Sequence, residues 1–366
     1  MFHDDERIVL TLDAGGTNFV FTAIQGYKEI VAPITLPSNS HDLDKCLNTV
    51  LEGFAKIRKK VNGDPVAVSF AFPGPADYEN GIIGDLPNFP SFRGGVALGP
   101  FLQEHLRLPV FINNDGNLFA YGEALAGALP EINQQLAAAG STRRYKNLFA
   151  VTLGTGFGSG VVINNVLLTG DNEAGGNVWC SAYKYDFNII AEEGVSIRAI
   201  KNKYNEFAGE QHTVLQPKDI FEIAEGVREG NKEAAVKSFE ELGRIAGFTI
   251  AESLNIVDGI VVVGGSIAKA YKYILPAMVA EMNAQRSAFN GGRFPRLQMK
   301  VFSMMDESDK AEFLSDNSTV VAVPGTSKTV KYNNGKKTGV IVSSLGTSEA
   351  VSLGAYAFAL AQVDAK

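Results

Sequence analysis

Two apolar runs, Ile8 to Leu12 and Phe19 to Ile24, flank the polar stretch Asp13-Ala14-Gly15-Gly16-Thr17-Asn18. Runs of that length bounded by turn residues predict two buried strands joined as a hairpin. The two glycines permit positive φ and leave no Cβ between the backbone and a bound group. Leu148 to Ile163, LFAVTLGTGFGSGVVI, repeats the plan of strand, glycine turn and strand. Repetition of a whole hairpin-led unit predicts two similar α/β domains with a cleft between them.

Helical spacing follows the first hairpin. Ser40 offers a cap, and Leu43, Leu47, Val50, Leu51, Phe54 and Ile57 mark one apolar face. Pro65 to Phe72 reads as a buried strand ending in the turn Pro73-Gly74-Pro75-Ala76-Asp77. A short helix over Leu98 to Leu106 leads to the strand Pro109 to Asn113, with Asn114-Asp115-Gly116-Asn117 at its carboxyl end and a helix from Leu118 to Ala128. Glu131 to Arg144 is polar and alanine-rich, and Val166 to Cys180 reads as a loop. Asn188 to Lys203, Pro217 to Glu229 and Lys232 to Ile256 read as helices. Gly259 to Val263 is a strand ending in Gly264-Gly265-Ser266. Lys328 to Val342 reads as a hairpin turning at Asn334-Gly335, and Ala350 to Leu360 as an apolar closing helix.

Length and charge narrow the class. At 366 residues the chain has room for about two domains. A net charge of −7 argues against a general binder of nucleic acid or anionic membrane. The longest apolar runs are too short to span a bilayer, and the charged start MFHDDERIVL is no signal peptide. Two cysteines without a CxxC pair predict a reducing, cytoplasmic setting. The scattered histidines pair with neither cysteine at metal-ligand spacing, so no structural zinc is expected.

The glycine turns carry the candidate chemistry. Backbone N–H groups and the Thr17 hydroxyl suit an anion, and Asp13 beside an anion makes sense when a divalent cation such as Mg²⁺ screens it. An ordinary hairpin turn is the alternative for this stretch taken alone. The second glycine run is no dinucleotide fingerprint, because Ser159 replaces the third glycine and a strand follows. No P-loop pattern is present. Gly264-Gly265-Ser266 suits an anion or a ribose, with a tight strand–helix turn as the plainer reading. Ligands of open α/β sheets bind beyond the carboxyl ends of strands, which places Asn114 and Asp115 well.

These segments in this order resemble the ROK family of sugar kinases and repressors, within the actin-like ATPase superfamily. LDAGGTN looks like its first phosphate motif. FPGPAD, LPNFPSFRG and PVFINNDGN look like its sugar-site run. VTLGTGFGSGVVI is similar to its second phosphate motif, and IVVVGGS to its adenosine motif. The resemblance implies an α/β fold of two ribonuclease-H-like domains closing on ATP and a hexose. The first would comprise residues 1–120 with 350–366, and the second 121–349 with an inserted hairpin near 328–342. It implies Asp115 as general base, and Gly74, Asn88 and Asn114 at the sugar. It implies Asp13 as positioning Mg²⁺ through water, with Gly15, Gly16, Thr17, Asn18, Thr155 and Gly156 around the phosphates. Gly264, Gly265 and Ser266 would meet the adenosine. A small-molecule sugar partner and a homodimer are implied as well.

The chain departs from the family pattern at one end of the sugar. Asn177 and Cys180 stand where a glutamate and a histidine are usual, and SAYKYDFNII replaces the cysteine-rich zinc motif. Order in that loop is expected from packing of Trp179 and Tyr183. Glu192 falls at a further sugar-binding glutamate of the family, with a solvated helical residue as its plainer reading. The first strand starts near Ile8, which leaves no winged helix ahead of it and disfavours DNA binding. The alternative to a kinase is a sugar-binding sensor of weakened catalysis acting without DNA.

Overall fold

The computed structural model describes residues 1–86, 89–211 and 214–365. They divide into two compact units, one of 1–127, 160–176 and 345–366 and the other of 128–159 and 177–344. The chain passes from the second unit into the first at Gly160, inside the strand Phe157–Ile163, and returns at Asn177. The first unit therefore includes a segment that the sequence division places in the second.

In the first unit the opening hairpin forms as expected, Ile8–Ala14 against Asn18–Gln25. Pro65–Ala71 and Val110–Asn113 then add in parallel, so the order runs Lys28–Glu29, Asn18–Gln25, Ile8–Ala14, Pro65–Ala71, Val110–Asn113. Leu10, Leu12, Phe19, Phe21 and Phe70 bury one face with Val50, Phe54 and Ile57 of the helix Leu43–Arg58. Asp42 caps that helix through a 3.1 Å bond from the Lys45 N–H, the task expected of Ser40. Val9, Ile24 and Ala67 on the opposite face meet Leu353, Tyr356 and Leu360 of the closing helix Thr347–Asp364.

The closing helix also packs on Asp115–Leu125 with glycine at both points of approach. A Cβ on Gly122 would stand 1.9 Å from the Ala350 carbonyl oxygen, and one on Gly354 would stand 1.9 Å from that of Leu118. Neither position has room for a methyl group.

The second unit is built on Leu148–Leu153, Ile260–Gly264, Lys337–Val342 and Lys300–Ser303, parallel and in that order, with the start of Phe157–Ile163 outside Leu148–Leu153. The expected hairpin over Lys328 to Val342 does not form. Lys337–Val342 is buried over five of its six residues and lies inside the sheet, between Ile260–Gly264 and Lys300–Ser303. Thr329–Tyr332 pairs instead with Thr319–Ala322 as an exposed two-stranded ribbon. An apolar run such as Gly-Val-Ile-Val suits a strand covered on both sides, so burial overrides the Asn-Gly turn signal. Asn188 to Lys203 is likewise not one helix but the strand Asp186–Ile190, the short 3-10 turn Ala191–Gly194 and the helix Ile197–Ala208. Within Glu131 to Arg144, the first residues belong to a helix, Ala128–Ala138. Lys232–Val257 forms the long helix expected. Among the described residues no helix is long and apolar enough to cross a membrane.

Candidate active site

In the first unit the candidate groups gather at the carboxyl ends of three neighbouring strands. Asp13 is paired across with Ala71, and Ala71 with Asn113. Asp13, the turn after Pro65–Ala71 and the pair Asn114–Asp115 therefore lie along one sheet edge. Asp13, Gly16, Thr17, Asn18 and Gly74 are exposed. Ser38 engages the turn's carbonyls, its Oγ donating to Gly16 at 2.6 Å and its N–H to Thr17 at 2.9 Å. Two of the turn's carbonyl oxygens are thus already engaged. A Cβ on Gly15 would stand 2.8 Å from the Asn18 carbonyl oxygen, so the turn is as tight as its glycines suggest.

Asn114 caps the helix Asp115–Leu125, its Oδ1 accepting the Gly116 N–H at 2.8 Å. Asp115 stands in the first helical turn, and its Oδ1 also accepts the Gly116 N–H at 2.8 Å. Its carboxyl is accessible to solvent yet crowded by protein, and the crowding pushes its pKa above the ordinary carboxylate range, against hydrogen bonds from the Gly116 and Asp115 N–H groups. The direction follows from crowding rather than from complete seclusion, so the carboxylate stays reachable.

Tyr78 is a site residue that the sequence reading missed. Its hydroxyl donates to the Phe72 carbonyl at 2.9 Å and hydrogen-bonds the Asn114 side chain. Burial pushes its pKa up to about 12, a rise that the Asn114 bond opposes and the charges of Asp115 and Glu173 reinforce. Glu173 in turn accepts the Tyr78 N–H at 2.7 Å. Glu173 is itself held above its usual range by burial and by the neighbouring charges of Asp77 and Glu79. An aromatic residue in the polar loop just after Pro-Gly-Pro was the one signal available. Asn88 lies outside the described residues.

The second unit gathers the other group. Gly264 is in register with Thr152, which sets the Thr155–Gly156 turn beside Gly264-Gly265-Ser266. Gly265 has φ 90°, and a Cβ there would stand 2.3 Å from the Leu153 carbonyl oxygen, so the glycine is obligatory. Two bonds fix the second glycine turn: Ile197 N–H to the Gly154 carbonyl at 2.8 Å, and Phe157 N–H to Glu192 Oε2 at 3.0 Å. Glu192 is half-buried and bound to the turn, whereas Asn177 and Cys180 are exposed.

A cavity of about 550 Å³ opens beside Ser266, walled by Ile197, Phe221, Phe239 and Ile267 with Lys218 and Lys269 among its lining. Its apolar walls and size suit a planar heterocycle with a charged tail. Phe221 and Phe239 meet edge to face at 6.2 Å. Helical periodicity assigns Phe239 to the core, and nothing in the spacing separates a core ring from a cavity wall. Among the described residues no group of three or more histidines, cysteines or acids is arranged to hold a metal.

A model of the ROK family matches residues 9–292. The crystal structure of the glucokinase from Parabacteroides distasonis superimposes with a TM-score of 0.88 at 55% identity, over 98% of this chain and 99% of that one. The glucokinase of Halalkalibacterium halodurans is 26% identical over 293 residues, 72% of this chain and 82% of the relative. The xylose repressor of Bacillus subtilis is 23% identical over 283 residues, 73% of this chain and 66% of the repressor.

Proposed function

The chain belongs to the ROK family, and from that premise we propose that it transfers the γ-phosphoryl group of ATP to a hydroxyl of a hexose or N-acetylhexosamine, with Asp115 as general base. It has the actin-like ATPase fold of that family and is an ATP-dependent sugar kinase. One observation carries the finer reading. Asp115 is accessible at the carboxyl end of Val110–Asn113, its Oδ1 shares the Gly116 N–H with the Asn114 cap, and it is more basic than an ordinary carboxylate.

As the sugar oxygen attacks the γ-phosphorus, its proton passes to the Asp115 carboxylate and ADP leaves. Proton transfer of this kind contributes on the order of 10²–10⁴-fold, and the rest must come from positioning and charge neutralisation. The amides of Gly15 to Asn18, with Thr155 and Gly156, are the groups for the phosphates. Ser266 lines the cavity proposed for the adenosine, and Gly264 and Gly265 precede it in the chain as the proposed close approach. Asp13 fits Mg²⁺ held through water, since it is an exposed carboxylate at the strand end beside the glycine turn. When bound, the ion neutralises charge on the phosphates. Gly74, Asn114, Asn177 and Glu192 are the proposed sugar contacts. This reading involves neither nucleic acid nor membrane, and expects a homodimer in the cytoplasm.

A coupled assay of ADP release over hexoses and N-acetylhexosamines tests the reading. Turnover with at least one sugar, lost in folded Asp115→Asn, is the expected result. The exposed Asn177 and Cys180 favour the second reading, a sensor, because a neutral amide binds hydroxyls about half as strongly as a carboxylate. Calorimetry showing sugar bound without nucleotide would select it.

A further inference from the structure

The stretch SAYKYDFNII, where the sequence departs from the pattern it otherwise resembles, has an anchor of its own in the structure. Ala182–Tyr183 and Asp186–Ile190 form a two-stranded ribbon, with Lys184 and Tyr185 at its turn. Such a ribbon is marginal in water by itself. It closes a loop whose two ends are bonded to each other: in the turn after it the Ala191 N–H donates to the Ser181 carbonyl at 2.7 Å and the Glu192 N–H to the Trp179 carbonyl at 3.2 Å.

Its anchor is ionic and aromatic. Glu281 gives one carboxylate oxygen to Lys184 at 2.7 Å and the other to Arg296 at 2.5 Å. The side chains of Lys184, Glu281 and Arg296 are 19%, 13% and 3% exposed, so water screens the trio weakly. The Phe248 ring carries both cations, the Arg296 guanidinium at 4.2 Å and the Lys184 ammonium at 5.6 Å. Arg296 also donates to the Phe248 carbonyl and to Glu252. The Tyr183 ring closes the near side, with Cε2 2.6 Å from where a Cβ on Gly194 would stand.

We propose that Lys184, clasped by Glu281 and Phe248, is a positioning residue that holds the segment from Asn177 to Ser181 for the sugar. The inference rests on the sugar-kinase reading. Only Lys184 of the trio belongs to the ribbon. Removing it leaves Glu281 paired with Arg296, so no buried charge is orphaned, and the ribbon loses its ionic tether while Tyr185 keeps its hydrogen bond to Glu241. Glu192 stays tied to Phe157, so the phosphate turn keeps its anchor.

The experiment compares wild type, Lys184→Met and Lys184→Arg in the intact chain with glucose and ATP. Lys184→Met raises the glucose KM about tenfold and leaves the ATP KM within about twofold, the signature of lost sugar positioning. Backbone amides of residues 181–191 exchange faster, while those of 232–257 do not. Lys184→Arg, which keeps the charge, restores the glucose KM. If Lys184→Met does not accumulate as folded protein, Lys184→Gln is read in the same way. An unchanged glucose KM in a folded variant, or equal changes in both constants, overturns the proposal. If wild type turns over no sugar, the kinase reading fails separately, and exchange over 181–191 still decides whether the clasp holds the ribbon.

Discussion

Glu192 accepts a hydrogen bond from the backbone N–H of Phe157 at 3.0 Å, and its carboxylate fills the space that any side chain at Gly156 would need. A residue matched to the sugar by sequence is therefore also the brace of the second glycine turn. Glu192→Ala should raise the KM for ATP and for sugar together, each by about tenfold, the loss of one charge-assisted bond and one ligand. Gly156→Ala, whose methyl would stand 2.4 Å from Glu192 Oε2, should reproduce the ATP effect. Initial-rate kinetics varying each substrate in turn checks both. A change confined to the sugar constant in Glu192→Ala would remove the bracing role.

Tyr78 ties three parts of the proposed sugar site together: the Phe72 carbonyl, the Asn114 amide and, through its N–H, Glu173. Tyr78→Phe keeps the ring and the bond to Glu173 but drops the hydroxyl. The Phe72 carbonyl and Asn114 then lose a partner, at a cost to stability of about 1 kcal/mol. Sugar kcat/KM should fall by about tenfold, with little change in the ATP constant. Steady-state kinetics with urea unfolding reads both quantities.

Gly122 and Gly354 are the points where the closing helix meets Asp115–Leu125. Gly354→Ala should destabilise the fold by about 2 kcal/mol or more, because overpacking against a backbone carbonyl cannot be relieved by a rotamer change. An exposed glycine in a helix would gain from the same substitution. Thermal melting of Gly354→Ala therefore separates tight packing from simple helix propensity by its sign.

Arg7 bridges Asp5 and Asp364, joining the start of the chain to the closing helix. Its hydrogen bonds hold both carboxylates below their usual range. For groups depressed in the folded state, the stabilisation is present above the unfolded pKa and is lost as pH falls through the folded value. Arg7→Met should be less stable than wild type at neutral pH, and the gap should close on acidification below the ordinary carboxylate range. Denaturant midpoints measured across pH follow the gap, and a gap independent of pH would assign the loss to packing.

The opening hairpin was legible because two apolar runs and a double-glycine turn agree. So was the long helix Lys232–Val257, where periodicity runs unbroken. The Asn334-Gly335 hairpin was misread because a local turn signal carries no information on which sheet the next strand joins. The ribbon at Ala182–Ile190 escaped notice for the opposite reason, as it is held by Lys184, Glu281 and Arg296, which lie far apart in the chain. At the site, Asp115 could be singled out by its place after a strand, but that Asn114 rather than Asp115 is the N-cap residue became visible only with the structure. Tyr78 and the Phe221–Phe239 wall were hidden because aromatic residues at such positions usually signify core.

The role of Asp115 is tested most directly by the pH dependence of sugar kcat/KM in wild type and Asp115→Asn. Wild type should show an acid limb displaced above the ordinary carboxylate range, matching the direction in which crowding pushes this group. A carboxyl raised in the folded state loses relative stability as pH rises through that value, so Asp115→Asn should melt no lower than wild type at neutral pH. It should still bind glucose by calorimetry, with turnover down by about 10²–10⁴-fold and the acid limb gone. Retained turnover with the limb unchanged in folded Asp115→Asn would contradict the assignment of Asp115 as the base.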